Sequence, residues 1–469
     1  MRCGEQEYCP ITEDKIISQD IICIQTDQQD IPNDIELQQI YALLEKNGDD
    51  QIGEKIIRLM LEKAGYNILQ DRISLFLKQR AIIAIVHCKQ GKKFLKLVEQ
   101  GCGQDEYDGG VLLSQHCPTI RAEKLINIGN IALVVQPLME QISTNTGMLT
   151  DVIALLENTK NQKMRNSLWR AISAVFEAME QLTANTLQFT IQPAKNDRFF
   201  YNRLKTERDD GEKGRIESFY SGKSFNLKGI EIPWESLIQK QWIVDGTPYQ
   251  ESLSELIRQA RQVLDPKKPR LIAMSHGDGH EMNIYSNATD PMASAYHFAF
   301  LDLETAGNNF ILGEAVGYLV YNSIMADYTV PKYYPEHFSE RNSAMNMAIT
   351  GMKQKIRSRL EVRLEDGKII INGLGNFGTN ATRKEIGKQY IAQYIEPIIT
   401  MALSRFGQSM EQAINETIRA AFVMRLIGVH NIQLMDTLDQ VKLLGLVYKT
   451  CGSHPDDNKS ALTKFLEAI

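Results

Sequence analysis

Two stretches decide the reading of this chain: SHGDGHEMNIY at residues 275–285 and FLDLETAG at residues 300–307. The first gathers His276, Asp278, His280, Glu281 and Asn283 between the apolar LIAM and the strand-like NIY. NIYS reads as a strand, ATDPMASA as its turn and YHFAFLDLE as the returning strand. In an antiparallel hairpin the start of one strand lies beside the end of the other, so Asn283 is expected beside Asp302. Asp278 stands just upstream on the same rim.

Three oxygen-bearing side chains at one strand end suit a particular chemistry. Asp with Asn is a poor zinc set but a good set for a hard cation. Mg²⁺ takes one or two carboxylates plus substrate phosphates and keeps water for the rest. With Asn283 and Asp302 on the metal, Asp278 is left to accept a proton from an attacking hydroxyl. That division of labour is what phosphoryl transfer needs.

HGDGHEMN resembles the H-G-D-x-H-x-x-N catalytic loop of the aminoglycoside phosphotransferase and choline kinase superfamily, small-molecule kinases with a protein-kinase-like fold. LDLETAG resembles their metal-binding segment, hydrophobic-D-x-E-x-A-G, in the same order and at a matching separation. The resemblance implies Asp278 as catalytic base, Asn283 and Asp302 as Mg²⁺ ligands, and His276 and His280 as residues that structure the loop. Glu304 would serve a second ion or a phosphate-linked water, or cap a turn. It also implies a strand lysine on the ATP phosphates, paired with a glutamate on the next helix. Lys96 in KFLKLV and Glu106 in QDEYDGGVLL fill those places. VVQPLME looks like the hinge whose backbone would hold adenine, with contacts at Gln136, Leu138 and Met139.

Departures are specific. Glu281 and Met282 stand where relatives often carry Pro-Gly. Glu314 in NNFILGEAVGYL is nearest the place of an aspartate that usually follows the metal segment. The phosphate-covering loop should fall at Lys78-Gln79-Arg80, which contains no glycine. A protein kinase is disfavoured by H-G-D-x-H in place of H-R-D, and by the lack of D-F-G and A-P-E segments. A catalytically silent relative that binds nucleotide or acts as a regulator is the alternative to the enzyme. The presence of Lys96, Glu106, Asp278, Asn283 and Asp302 together favours the enzyme.

The rest of the chain gives the frame. Spacing predicts a helical extension over residues 1–67, in which Ile52, Ile56, Met60 and Lys63 share a stripe with Ile57 and Leu61 alongside. Residues 68–139 alternate strands with one helix, a kinase-like N-lobe. Residues 140–469 read as a mostly helical C-lobe, with a helix through Leu168, Ile172, Val175, Met179 and Leu182. One hairpin, LEVRLEDGKIIING, turns at Asp366-Gly367. The expected fold is therefore α+β: a bilobal, protein-kinase-like chain with a small antiparallel sheet, a large helical lobe and a ligand cleft between them.

Composition agrees with that class. Of 469 residues, 43% are hydrophobic and 23% charged, and the net charge is −6, which disfavours a general nucleic-acid binder. The seven cysteines form no C-x-x-C pair, so neither a disulfide framework nor a structural zinc site is expected. Without a signal segment or a membrane-length apolar run, a cytoplasmic protein is expected, with ATP and Mg as cofactors. The acceptor is a small-molecule hydroxyl compound, such as a sugar, an aminoglycoside or an amino alcohol. Arg203 and Lys205 in FFYNRLKTER fit a solvated face or a contact to an anionic substrate.

Overall fold

The computed structural model describes residues 21–23, 37, 39, 40, 42, 51–78, 81–138, 147–207, 211–287, 298–334, 360–455 and 457–469. Gln79, Arg80, Met139, most of the first fifty residues and the turn at 288–295 lie outside them. The chain is α+β and divides into two compact units: Met1–Thr146 with Leu301–Glu304, and Gly147–Phe300 with Thr305–Ile469.

The first unit is built on a six-stranded sheet. Leu75–Lys78, Ala81–Cys88, Gly91–Glu99 and Ile131–Pro137 run antiparallel in that spatial order, and Lys124–Ile128 pairs with Ile131–Pro137. The structure adds a strand that the sequence reading lacked: Ile21–Cys23 lies parallel to Lys124–Ile128 at the sheet's edge. Strand alternation sends Leu95 and Leu97 to one face, where they pack with Ile56, Ile57, Met60 and Leu61 of the helix Gln51–Lys63. That helix is thus part of the sheet's core, and Ile52 and Lys63 are the exposed members of its predicted stripe. Val98, Val134 and Ala132 face the other way, against Tyr107 of the helix Gln100–Ser114.

Packing accounts for two glycines of the helix Gln100–Ser114. A Cβ on Gly103 would sit 2.6 Å from the Ala132 Cβ, and one on Gly110 would sit 3.0 Å from the Arg121 Cβ. Helix propensity is given up so that the helix can lie close on the sheet.

The second unit is mostly helical but carries more strands than expected. The helix Gln162–Thr186 buries Leu168, Ile172, Val175, Met179 and Leu182, and Asn161 caps its start. Arg270–Ser275 pairs antiparallel with both Gln188–Thr190 and Gly307–Phe310. Ile284–Ser286 pairs with Phe298–Phe300, Ile284 opposite Phe300. The hairpin Glu361–Glu365 and Lys368–Asn372 turns at Asp366 and Gly367, whose φ of 49° and 75° are those of a two-residue type I′ turn. Lys368–Asn372 also pairs in parallel with Gln241–Val244. The helices Leu253–Val263, Ile311–Val320 and Glu411–Ile427 contribute buried side chains to this unit's core.

Candidate active site

In the first unit, Lys96 projects from the strand Gly91–Glu99 on the face of Val98. Its Nζ lies 2.7 Å from Glu106 Oε2 and also contacts the Asp302 carboxylate. Glu106 is 2% exposed, on the helix that starts directly after the strand. The buried side chain of Gln136 donates from Nε2 to Glu106 Oε1 at 2.9 Å. Gln136, expected to meet a nucleotide through its backbone, therefore has a side-chain task that the sequence did not disclose. The Leu138 N–H donates to the Lys92 carbonyl at 3.3 Å, within the sheet.

One ammonium faces two carboxylates. Burial opposes the Lys96 charge, but Glu106 and Asp302 outweigh it and hold the amine above its ordinary value. Burial pushes Glu106 up, Lys96 pulls it down, and Asp302 and Glu304 add to the upward push. Charge here is therefore in negative excess, the condition a divalent cation relieves. Asp302 is held at φ 56°, in the left-handed region that aspartate tolerates better than most residues. Backbone strain of this kind gathers at functional positions. Leu303–Thr305 forms a short 3₁₀ turn that includes Glu304. Leu301–Glu304 belongs with the first unit, and not with the helical lobe in which its sequence position would put it, because Asp302 reaches Lys96 and Leu303 packs near Gly110.

In the second unit, Asp278 sits in the loop that leaves the strand Arg270–Ser275. The turn is made at Gly277, φ 82°, where a Cβ would lie 2.7 Å from the Thr305 carbonyl oxygen. Only glycine fits that place. His276 Nδ1 accepts the Asp278 N–H at 3.3 Å, and His280 Nδ1 accepts the Met282 N–H at 3.3 Å. His280 also stacks on Tyr321, with centroids 4.1 Å apart. Both histidines thus hold backbone. The Asn283 amide donates to the Asp278 carbonyl at 3.0 Å, which turns its Oδ1 the other way. The Arg425 guanidinium lies 3.5 Å from Asp278 Oδ1.

Two buried carboxylates fasten this loop. Glu314 accepts the Ser275 hydroxyl and lies against the backbone amides of Gly277 and Gly279. Glu281 takes Arg383 at 3.0 Å, and Arg383 also meets Glu157 at 2.8 Å. Asn309 ties the loop's start to the later segment, donating to the carbonyls of Ser275 at 3.1 Å and Thr305 at 2.8 Å. Glu281, Arg383, Glu314 and Arg425 were not foreseen as site-building residues. A signal was present for two of them, Glu314 and Arg425: each is a charge in an apolar run, as in ILGEAVGYLV and AAFVMRLIGV. Such a charge must find a partner, but a lone sequence does not say which one.

Burial raises Glu314 to about 7 from 4.5, offset in part by its hydrogen bond to Ser275 and by the loop amides. A carboxyl raised on folding contributes stability that is full below its unfolded value and lost as pH rises through the folded one. Glu314→Gln should remove that loss. Between about pH 5 and pH 8, wild type is expected to lose roughly 3 kcal/mol relative to the variant, measured by denaturant unfolding. Parallel stability profiles for the two proteins would show that Glu314 is not held this way.

Among the described residues, no group of three or more His, Cys, Asp and Glu side chains converges into a metal cage. Mg²⁺ bound through one or two carboxylates and substrate phosphates needs no such cage. The excess of carboxylate at Lys96 and the hard oxygens of Asp302 fit that ion. Among the described residues, no helix is long and apolar enough to cross a membrane.

No family model and no curated protein matches the chain. Solved structures do resemble it. The aminoglycoside phosphotransferase APH(3'')-Id of Streptomyces rimosus, in complex with ADP and streptomycin, is 14% identical over 68% of this chain and 91% of that one, with a TM-score of 0.30. The microcompartment-associated aminopropanol kinase is 10% identical over 83% and 94%, with a TM-score of 0.37. The spectinomycin phosphotransferase APH(9)-Ia, in complex with ADP and spectinomycin, is 10% identical over 78% and 97%, with a TM-score of 0.29. All three are small-molecule phosphotransferases or kinases, the class that this chain's loop motifs resemble. At these identities and TM-scores the likeness does not decide what this chain acts on, which rests on its own residues.

Proposed function

We propose that this protein is an ATP- and Mg²⁺-dependent kinase that phosphorylates a hydroxyl of a small molecule. The observation that carries the reading is the Lys96 ammonium set between Glu106 and Asp302, whose sequence positions are 206 residues apart from Lys96 in the latter case. An ammonium fixed by a buried carboxylate is a preorganised charge for a transferring phosphate. Support also comes from the Asp278 loop, fastened by Glu314, Glu281, Asn309 and two histidines.

In this reading the acceptor O–H gives its proton to Asp278 as its oxygen bonds the γ-phosphorus, and the bond from that phosphorus to the β-phosphate bridge breaks. Asn283 and Asp302 would hold Mg²⁺, which when bound neutralises charge on the β- and γ-phosphates. Lys96 neutralises the phosphates from the sheet, and Glu106 and Gln136 keep it aimed. The stretch from Gln136 to Met139 would receive the adenine. Most of the rate advantage in such a transfer is positioning and electrostatics.

The reading is tested by titrating ATP with and without Mg²⁺. Mg²⁺ should strengthen ATP binding to wild type, and Asp302→Ala should remove the gain. Equal ATP affinity in both conditions for both proteins would contradict the assignment of Asp302.

A further inference from the structure

Glu281 stands in the Asp278 loop, at the start of the short 3₁₀ turn Glu281–Asn283. No proline ring fixes the backbone of that turn, so its shape depends on what its side chains hold. Glu281 and Arg383 are both fully buried. Arg383 Nη1 donates to the two Glu281 carboxylate oxygens at 3.1 and 3.0 Å, and to the Asn322 carbonyl at 3.1 Å. Two more carboxylates face the same guanidinium. Its Nε lies 2.8 Å from Glu157 and 3.8 Å from Asp327, in neither case with the geometry of a hydrogen bond. The bonds to Glu281 are thus the directional part of the cluster, and the other two contacts are charge alone.

Arg383 is itself held in place. It lies near the start of the helix Ala381–Tyr390, which docks on the π-helical segment Tyr321–Thr329. The Arg383 carbonyl accepts from the Asn322 amide at 3.0 Å, the return of the bond that Asn322 receives. The Ser323 carbonyl accepts the Thr379 hydroxyl at 2.7 Å, and Asp327 accepts the Asn380 N–H at 3.0 Å. The wide turns of a π-helix are uncommon and recur at functional positions. Here the same segment begins with Tyr321, on which His280 stacks. Two adjacent loop residues therefore rest on it, His280 directly and Glu281 through Arg383.

We propose that Arg383 is a positioning residue: through Glu281 it fixes the turn that sets Asn283 against Asp278, while its own burial keeps it from nucleotide and acceptor. The catalytic consequence rests on the phosphotransferase reading; the anchoring of the loop does not. The Asn283 N–H donates to the His280 carbonyl at 2.8 Å, and its side-chain amide donates to the Asp278 carbonyl at 3.0 Å. A shift of Glu281 is therefore passed to both functional side chains. A displacement of about 1 Å at a reacting group costs about 100-fold in rate.

The test reads amide hydrogen exchange of the loop beside steady-state kinetics, in the full chain. The N–H groups of Asp278, His280, Met282 and Asn283 each have an acceptor within the loop, so their exchange reports its order. Arg383→Lys keeps a cation for the three carboxylates but loses the fork that spans Glu281 and Asn322. Glu281→Gln leaves Arg383 with Glu157 and Asp327, and it carries the test if Arg383→Lys fails to fold. In both variants the loop amides should exchange about tenfold faster or more, with the helix Gln162–Thr186 unchanged. Turnover should fall about 10–100-fold while KM for ATP stays within about twofold. Glu157→Gln takes a carboxylate from the same guanidinium outside the loop. It should cost stability but keep wild-type loop exchange and turnover. Loop exchange unchanged in Arg383→Lys and Glu281→Gln, or altered equally in Glu157→Gln, overturns the proposal. Loop exchange that responds as expected in a protein that transfers no phosphate keeps the anchoring and loses the kinase reading.

Discussion

Asp278→Asn is expected to lower turnover about 10²–10⁴-fold, the range by which a positioned general base accelerates proton transfer. The substitution keeps the side chain's size and one oxygen acceptor but removes its basicity. Little else should change. The contacts that shape the loop run through the Asp278 backbone: its N–H to His276, and its carbonyl to Asn283 and to the His280 N–H. ATP affinity should therefore stay near wild type, while thermal stability should fall somewhat, because the buried Arg425 loses the carboxylate 3.5 Å away. A variant that turns over at the wild-type rate would remove Asp278 from the reaction.

Lys96→Met should act on both activity and stability. Removing one preorganised charge from a transferring group costs about 10²–10³-fold in kcat. It also leaves Glu106 buried without its cation, since Lys96 supplies the 2.7 Å ion pair. Breaking a buried pair from one side is expensive, and protonation of Glu106 limits the cost to about 3 kcal/mol. The double variant Lys96→Met/Glu106→Gln should recover most of that stability, because a neutral amide can still accept from Gln136, while turnover stays low. Recovery of turnover in the double variant would show that Lys96 serves only to neutralise Glu106.

Much of the candidate site was legible because its residues lie in compact motifs. HGDGHEMN and LDLETAG each place several polar side chains on a short piece of backbone, and Lys96 and Glu106 are ten residues apart across a strand-to-helix junction. What escaped was non-local. The strand Gly307–Phe310 reads GNNF, with little intrinsic strand preference, and forms because Arg270–Ser275 offers it a ladder. The parallel pairing of Gln241–Val244 with Lys368–Asn372 joins segments far apart in the chain, and neither segment encodes its partner. The same holds for Glu314, Arg383 and Arg425. Each is plainly a charge in a folded helix, but its partner is chosen by packing that one sequence does not display. Gln136 shows a subtler limit. Its position at the end of an apolar strand was clear, yet only the register opposite Phe94 places its amide within reach of Glu106.

The central claim is transfer of a phosphoryl group to a small hydroxyl compound. The direct measurement is to incubate the protein with Mg²⁺ and ATP labelled in the γ-phosphate, together with pooled hydroxyl compounds that include sugars, aminoglycosides and amino alcohols, and to follow the label. Label should appear in a small product with wild type and be lost with Asp278→Asn. Saturable ATP binding with no label leaving the nucleotide in any pool, or equal labelling by both proteins, would contradict the kinase reading and favour a silent, nucleotide-binding relative.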